Sequence, residues 1–187
     1  MSWSMRCIAF VTLVILPLAV GAQSRSRVWG TLSAGRGDLQ IDCNICRGAE
    51  HSSWAADIAV GAWVSPRTTL GGEIGAWRLG GDEATQRVVL LSVVGQRYPF
   101  SLPAFFKLGV GVMNYSSSDG EASLAATSLA LQAGIGADIP VAGKYVVVPQ
   151  ATFVQGVNGG LYIEDTRVTG WSRVRLLRIG LGVGMGR

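Results

Sequence analysis

The chain has 187 residues and carries a net charge of +4, from 16 basic and 12 acidic residues. Charged residues make up 15% of it and glycine 26 of 187 positions, against globular norms of about 25% and about 7%. So apolar a composition excludes a disordered chain, and the scattered basic residues, with no Arg/Lys-rich helix or aromatic platform, exclude nucleic-acid binding.

The first element is a targeting segment over residues 1–22. "MSWSMR" carries one positive charge, "CIAFVTLVILPLAV" is an apolar run broken by Pro17, and "VGA" offers small residues before Gln23. These are the three regions of a secretory signal, and the run is shorter than the roughly 20 apolar residues of a spanning helix. Residues 1–22 are therefore expected to be a cleavable signal helix and residues 23–187 a single domain. Without Arg6 that domain holds 15 basic and 12 acidic residues, a net of +3.

The domain reads as eight strands: Val28–Gly37, Trp54–Val64, Thr69–Leu79, Arg87–Tyr98, Ala104–Tyr115, Leu124–Ile139, Tyr145–Gln155 and Arg173–Gly186. The last is the clearest. Ile179, Leu181, Val183 and Met185 alternate with Gly180, Gly182, Gly184 and Gly186, the period of two that puts successive side chains on opposite faces of a strand. "EASLAATSLALQAGIG" competes as a helix, but its continuation alternates Leu129, Leu131, Ala133 and Ile135 with Ala130, Gln132, Gly134 and Gly136. The fourth strand is apolar on both faces, so its register stays open.

The connections alternate in length. "SPRT", "PFSLP" and "PVAGK" are short, whereas "DLQIDCNICRGAEHSS", "GGDEATQ", "SSSDGEAS" and "GVNGGLYIEDTRVTGW" are polar and mostly longer. In an up-and-down meander this puts every long loop at one end. Of the twelve acids, nine fall in those loops; Asp57, Glu73 and Asp138 fall in strands, opposite the aliphatics. Lys107, Gln132 and Arg178 share parity with the glycines in their strands.

In the second, third, fifth, sixth and eighth strands one face is thus aliphatic and the other mixes glycine with a few charges of both signs. The outer face of a soluble sandwich would carry large polar residues instead. An eight-stranded barrel has an interior just wide enough for side chains, so charged and amide groups there need glycine neighbours. Asp57, Glu73, Lys107, Gln132, Asp138 and Arg178 are expected as an interior polar network. Position along the strands pairs Lys107 with Asp138 and Arg178 with Asp57, and puts Glu73 within reach of Lys107. The aliphatic face would meet lipid, and closure would leave no unpaired backbone edge in the bilayer. The fold class expected is all-β: an eight-stranded antiparallel up-and-down transmembrane barrel.

On this pattern, and on "KLGVGV", "LQAGIGADIP" and "RIGLGVG", residues 23–187 resemble the small eight-stranded outer-membrane β-barrels of the OmpA/OmpX type. The resemblance implies localisation to the outer membrane of a Gram-negative-type bacterium. It also implies contact with outer-membrane lipid and with the barrel-insertion machinery during biogenesis. Members commonly end on an aromatic residue, whereas this chain ends Met185-Gly186-Arg187.

Other stretches carry less. "CNIC" (Cys43, Cys46) fits a redox pair, half a metal site or a local disulfide; no second such motif follows for a four-thiolate zinc site, and export to an oxidising compartment favours the disulfide. "RGD" (Arg36–Asp38) is an ordinary loop start. His51 and Ser53 are the one candidate serine–histidine pair, the basis of a rival reading as a lipid A-modifying enzyme. A soluble periplasmic ligand-binding barrel is the second rival. Trp29, Trp54, Tyr98, Tyr115, Tyr145 and Trp171 suit interfacial girdles, while Trp63 and Trp77 fall on the inward face. No cofactor is expected, and the favoured function is a monomeric, non-enzymatic, structural or surface-interaction barrel that is not an open pore.

Overall fold

The computed structural model describes residues 28–43, 49–81, 85–99, 102–118, 123–163 and 166–185. The signal segment 1–22 lies outside them. Nine strands follow in order: β1 Val28–Cys43, β2 Ala49–Ser65, β3 Thr68–Gly80, β4 Thr85–Arg97, β5 Ala104–Ser118, β6 Ser123–Ala137, β7 Ile139–Ala142, β8 Tyr145–Ile163 and β9 Thr166–Met185. Consecutive strands pair antiparallel except β6 and β7, which both pair with β8; β9 pairs with β1. The sheet is therefore a closed up-and-down barrel of eight staves, with β6 and β7 forming one stave interrupted at Asp138.

That interruption has a local cause. The ladder from β6 to β8 stops at Gly136–Gln150 and resumes from β7 at Ile139–Val147. Pro149, which lacks a backbone donor, lies in the gap. The Asp138 amide turns away and donates to the carbonyl of Pro103, 2.9 Å off, in the β4–β5 connection. Three tight connections, after β2, β4 and β7, share one end of the barrel. In the β7–β8 turn Gly143 has φ +55°, a conformation that favours glycine.

The strands at the other end run further than the sequence implies. Residues 38–43, 49–53, 156–163 and 166–171 read as long loops, but they continue the β1–β2 and β8–β9 hairpins. Part of the reason is packing: Leu39 and Ile41 point inward and are buried in one cluster with Val174 and Leu176 of β9, so the polar-looking stretch 38–43 carries an alternating apolar face. Asp38, Asp42 and Glu50 accordingly lie in strands, not loops.

Faces follow parity throughout. On β9, Leu181 is 60% exposed on the outside while Gly182 is buried inside. The five outward residues Leu177, Ile179, Leu181, Val183 and Met185 cover nine positions, the length of a tilted strand crossing a hydrocarbon core. The register of β4 is now defined: Val88, Leu90, Ser92, Val94 and Gln96 point in, and Leu91 and Val93 point out.

The interior is layered. At the tight-turn end Trp63, Tyr98, Phe105, Val146 and Val148 pack together, with Trp63–Tyr98 and Tyr98–Phe105 ring centroids 5.2 and 5.6 Å apart. At the other end Leu39, Trp77, Leu90, Met113, Tyr115 and Val154 are among the residues of a larger apolar cluster. Charged groups sit between the two.

Candidate functional site: a charged ring across the lumen

β3 brings Glu73 to the middle of the lumen because its inward positions on either side are glycine, Gly71 and Gly75. Glu73 Oε2 accepts from Lys107 Nζ of β5 at 2.9 Å, and Oε1 accepts from Arg178 NH2 of β9 at 2.6 Å. Arg178 NH1, which makes no hydrogen bond, stands 3.4 Å from Asp57 Oδ1 of β2, so the contact is electrostatic. Asp57 Oδ2 accepts from Ser33 Oγ at 2.7 Å and from Gln150 Nε2 at 3.1 Å. Gln150 Oε1 in turn accepts from Lys107 Nζ at 3.2 Å.

These contacts close on themselves. Lys107, Glu73, Arg178, Asp57 and Gln150, from five strands, form a ring that spans the lumen. Its two cations and two anions cancel. Glu73 is 1% and Lys107 2% exposed, and buried charges of this kind are tolerated only when paired and hydrogen-bonded.

Glycines make the room. A side chain at Gly75 would run into Arg178 NH1, and one at Gly37 into the Trp77 ring. Above the ring, Trp77 Nε1 donates to the Gly37 carbonyl at 2.7 Å.

Of the six residues the sequence singles out, four (Asp57, Glu73, Lys107 and Arg178) meet in the ring. Gln132 is buried nearby and donates to Ser92 Oγ at 3.0 Å. Asp138 lies towards the tight-turn end, where it accepts from Tyr98 Oη at 2.7 Å; Lys107 turns instead to Glu73 and Gln150. Gln150 completes the ring, and Ser33 supports Asp57 from beside it, without either having been singled out. The signal for Gln150 was weak, because most of β8 is apolar and Gln150 and Thr152 are the polar positions of its inward face below Gly156.

The other candidates separate. Ser53 Oγ donates to the Arg78 carbonyl at 2.6 Å, and His51 Nε2 contacts Gln86 Nε2 at 3.4 Å; the two are engaged by different partners. Cys43 ends β1, while its side chain and Cys46 lie outside the described residues. Among the described residues, no group of three His, Cys, Asp or Glu side chains is placed to hold a metal.

No protein-family model and no curated protein matches the chain. Solved structures do. Neisserial surface protein A aligns with a TM-score of 0.57 at 10% identity, covering 84% of this chain and 97% of that one. Ail, the attachment invasion locus protein of Yersinia pestis, aligns with a TM-score of 0.56 at 14% identity, covering 84% and 98%. OprG, an outer membrane protein of Pseudomonas aeruginosa, aligns at 0.50 and 11%, covering 87% and 98%. At such identities the likeness speaks to architecture, and the architecture of this chain is that of the small eight-stranded outer-membrane β-barrels.

Proposed function

We propose that the protein is an integral outer-membrane barrel with a structural or surface-interaction role, non-enzymatic and closed to free conduction. The observation that carries this reading is the neutral ring of Lys107, Glu73, Arg178, Asp57 and Gln150 across a lumen already filled by side chains at both ends. An eight-stranded barrel leaves no open channel once its interior is packed. Outside, the aliphatic belt would expose large apolar area to water in a soluble protein, whereas in a bilayer it meets hydrocarbon. Barrel closure satisfies every lipid-facing stave through its neighbours, which a monomer achieves alone.

Planar-bilayer recording tests the closed lumen. Purified protein should insert, as read by heat-modifiable gel migration, and give no sustained current. Steady porin-sized conductance would overturn the reading and make the protein a channel. A rival reading as a soluble barrel predicts purification without detergent.

A further inference from the structure

The upper edge of the aliphatic belt is asymmetric. On β1 to β4 the outward residues that end it are Arg36, Trp54, Arg78 and Arg87, and they are direct cross-strand partners: Arg36 with Trp54, Trp54 with Arg78, Arg78 with Arg87. All four are exposed. Below them the outward residues are Ala34, Ala56, Ala76 and Val89, each two positions nearer the tight turns. On β5 the partner of Arg87 is the neutral Ser116, and the belt there and on β6 ends on the neutral Asn114 and Thr127, bonded to each other at 2.9 Å.

Among the described residues the row is unbalanced in charge. Directly opposed like charges on a sheet are destabilising, yet Arg78 and Arg87 face each other. No carboxylate among the described residues pairs with Arg36, Arg78 or Arg87, whereas Arg175, further along this edge, is neutralised by Asp42 at 3.4 Å. Trp54 is 67% exposed, and the Arg36 guanidinium stacks over its ring at 5.9 Å. Exposed tryptophans of membrane barrels mark the interface, and a stacked guanidinium keeps its in-plane N–H edge free for a planar or tetrahedral oxyanion.

Resting on the outer-membrane reading above, we propose that Arg36, Trp54, Arg78 and Arg87 form a recognition row for phosphate-bearing lipid headgroups of the external leaflet. The phosphate oxygens lie between the opposed guanidiniums and relieve their repulsion. The acyl chains run down the aliphatic belt of β1–β4, and Trp54 holds the level of the headgroup. The barrel thereby acquires one lipid-selective flank and, on the side of Asn114 and Thr127, one indifferent flank.

The test compares spin-labelled phosphatidic acid with spin-labelled phosphatidylcholine around the purified protein in phosphatidylcholine bilayers. The wild type should favour the phosphatidic acid by about threefold or more, because each basic residue near the surface attracts anionic lipid appreciably. Arg36→Gln/Arg78→Gln/Arg87→Gln should bring the ratio close to one, while Arg97→Gln at the other end should retain it. Heat-modifiable migration is recorded for each protein, so failure to insert, which would sink the outer-membrane reading, is distinguished from insertion without selectivity. Wild type with a ratio near one, or a triple variant that keeps the wild-type ratio, overturns the proposal. In a measurement that needs no variant, a photoreactive phosphatidic acid headgroup should label wild-type segments around Trp54, Arg78 and Arg87. Even labelling of all staves overturns it, and so does labelling that soluble inorganic pyrophosphate forms equally well without lipid attachment.

Discussion

Arg178 NH2 donates to Glu73 Oε1 over 2.6 Å although 105 residues separate them in the chain. β9 and β3 are not neighbours; the bond crosses the lumen and ties the last stave to the third. Glu73 is held at the same time by Lys107, so one carboxylate joins three non-adjacent staves through the interior, in addition to the hydrogen bonds of the wall.

Replacing Arg178 by leucine should therefore destabilise the barrel by about 3–5 kcal/mol, the usual cost of removing one partner of a buried pair. Glu73 keeps Lys107, but Asp57 loses its cation and retains Ser33 and Gln150 alone. Asp57→Asn in the same background should recover part of the loss. Urea unfolding of the reconstituted protein measures both; equal stability of wild type and Arg178→Leu would exclude the ring as a stabilising element.

Space beside the ring is as constrained as its charge. Gly75→Val places carbons where the Arg178 guanidinium lies and should cost about 1–3 kcal/mol, as overpacking does. Gly72→Ala, on the outer face with its nearest neighbouring atom 3.9 Å from the added carbon, should be nearly neutral. The contrast is read from the same unfolding curves, and similar losses at both positions would contradict the assignment of faces.

A charge on the outer belt probes the membrane directly. Arginine in place of Leu181, or of the outward-facing Val110, should cost about 2–4 kcal/mol near the bilayer midplane. Folding yield into lipid vesicles is the readout, and unchanged yield for both would argue against a lipid-facing belt.

Trp77 reports on the upper interior. Its side chain is 1% exposed and its indole nitrogen bonds the Gly37 carbonyl. Trp77→Phe removes that donor and some volume, and about 1–3 kcal/mol should be lost, the range for an abandoned buried partner. Near-ultraviolet dichroism should weaken with the loss of a fixed indole, whereas the far-ultraviolet strand signal should persist.

The inward or outward direction of side chains was legible in the sequence for β2, β3, β5, β6 and β9, because covalent geometry alternates faces with a period of two, whereas β4, apolar on both faces, left it open. Parity put Asp57, Glu73, Lys107 and Arg178 on one side of the wall and Leu181 and Val110 on the other, and alternating connection lengths ordered the staves. Height along the barrel was not legible. Glu73 lines up through Ser92 with Gly111, yet it bonds Lys107, four residues lower on β5; strand tilt and the reach of the side chains across the lumen decide such partners, and neither is encoded locally. For the same reason Asp138 is set apart from Lys107 by the break opposite Pro149, and Gln150 joins the ring from a strand with no polar stripe to announce it. The length of the hairpins above the belt was also a tertiary matter. Residues 38–43 and 166–171 look like loop by composition, and 38–43 hold as strand because Leu39 and Ile41 join Val174 and Leu176 inside a closed barrel.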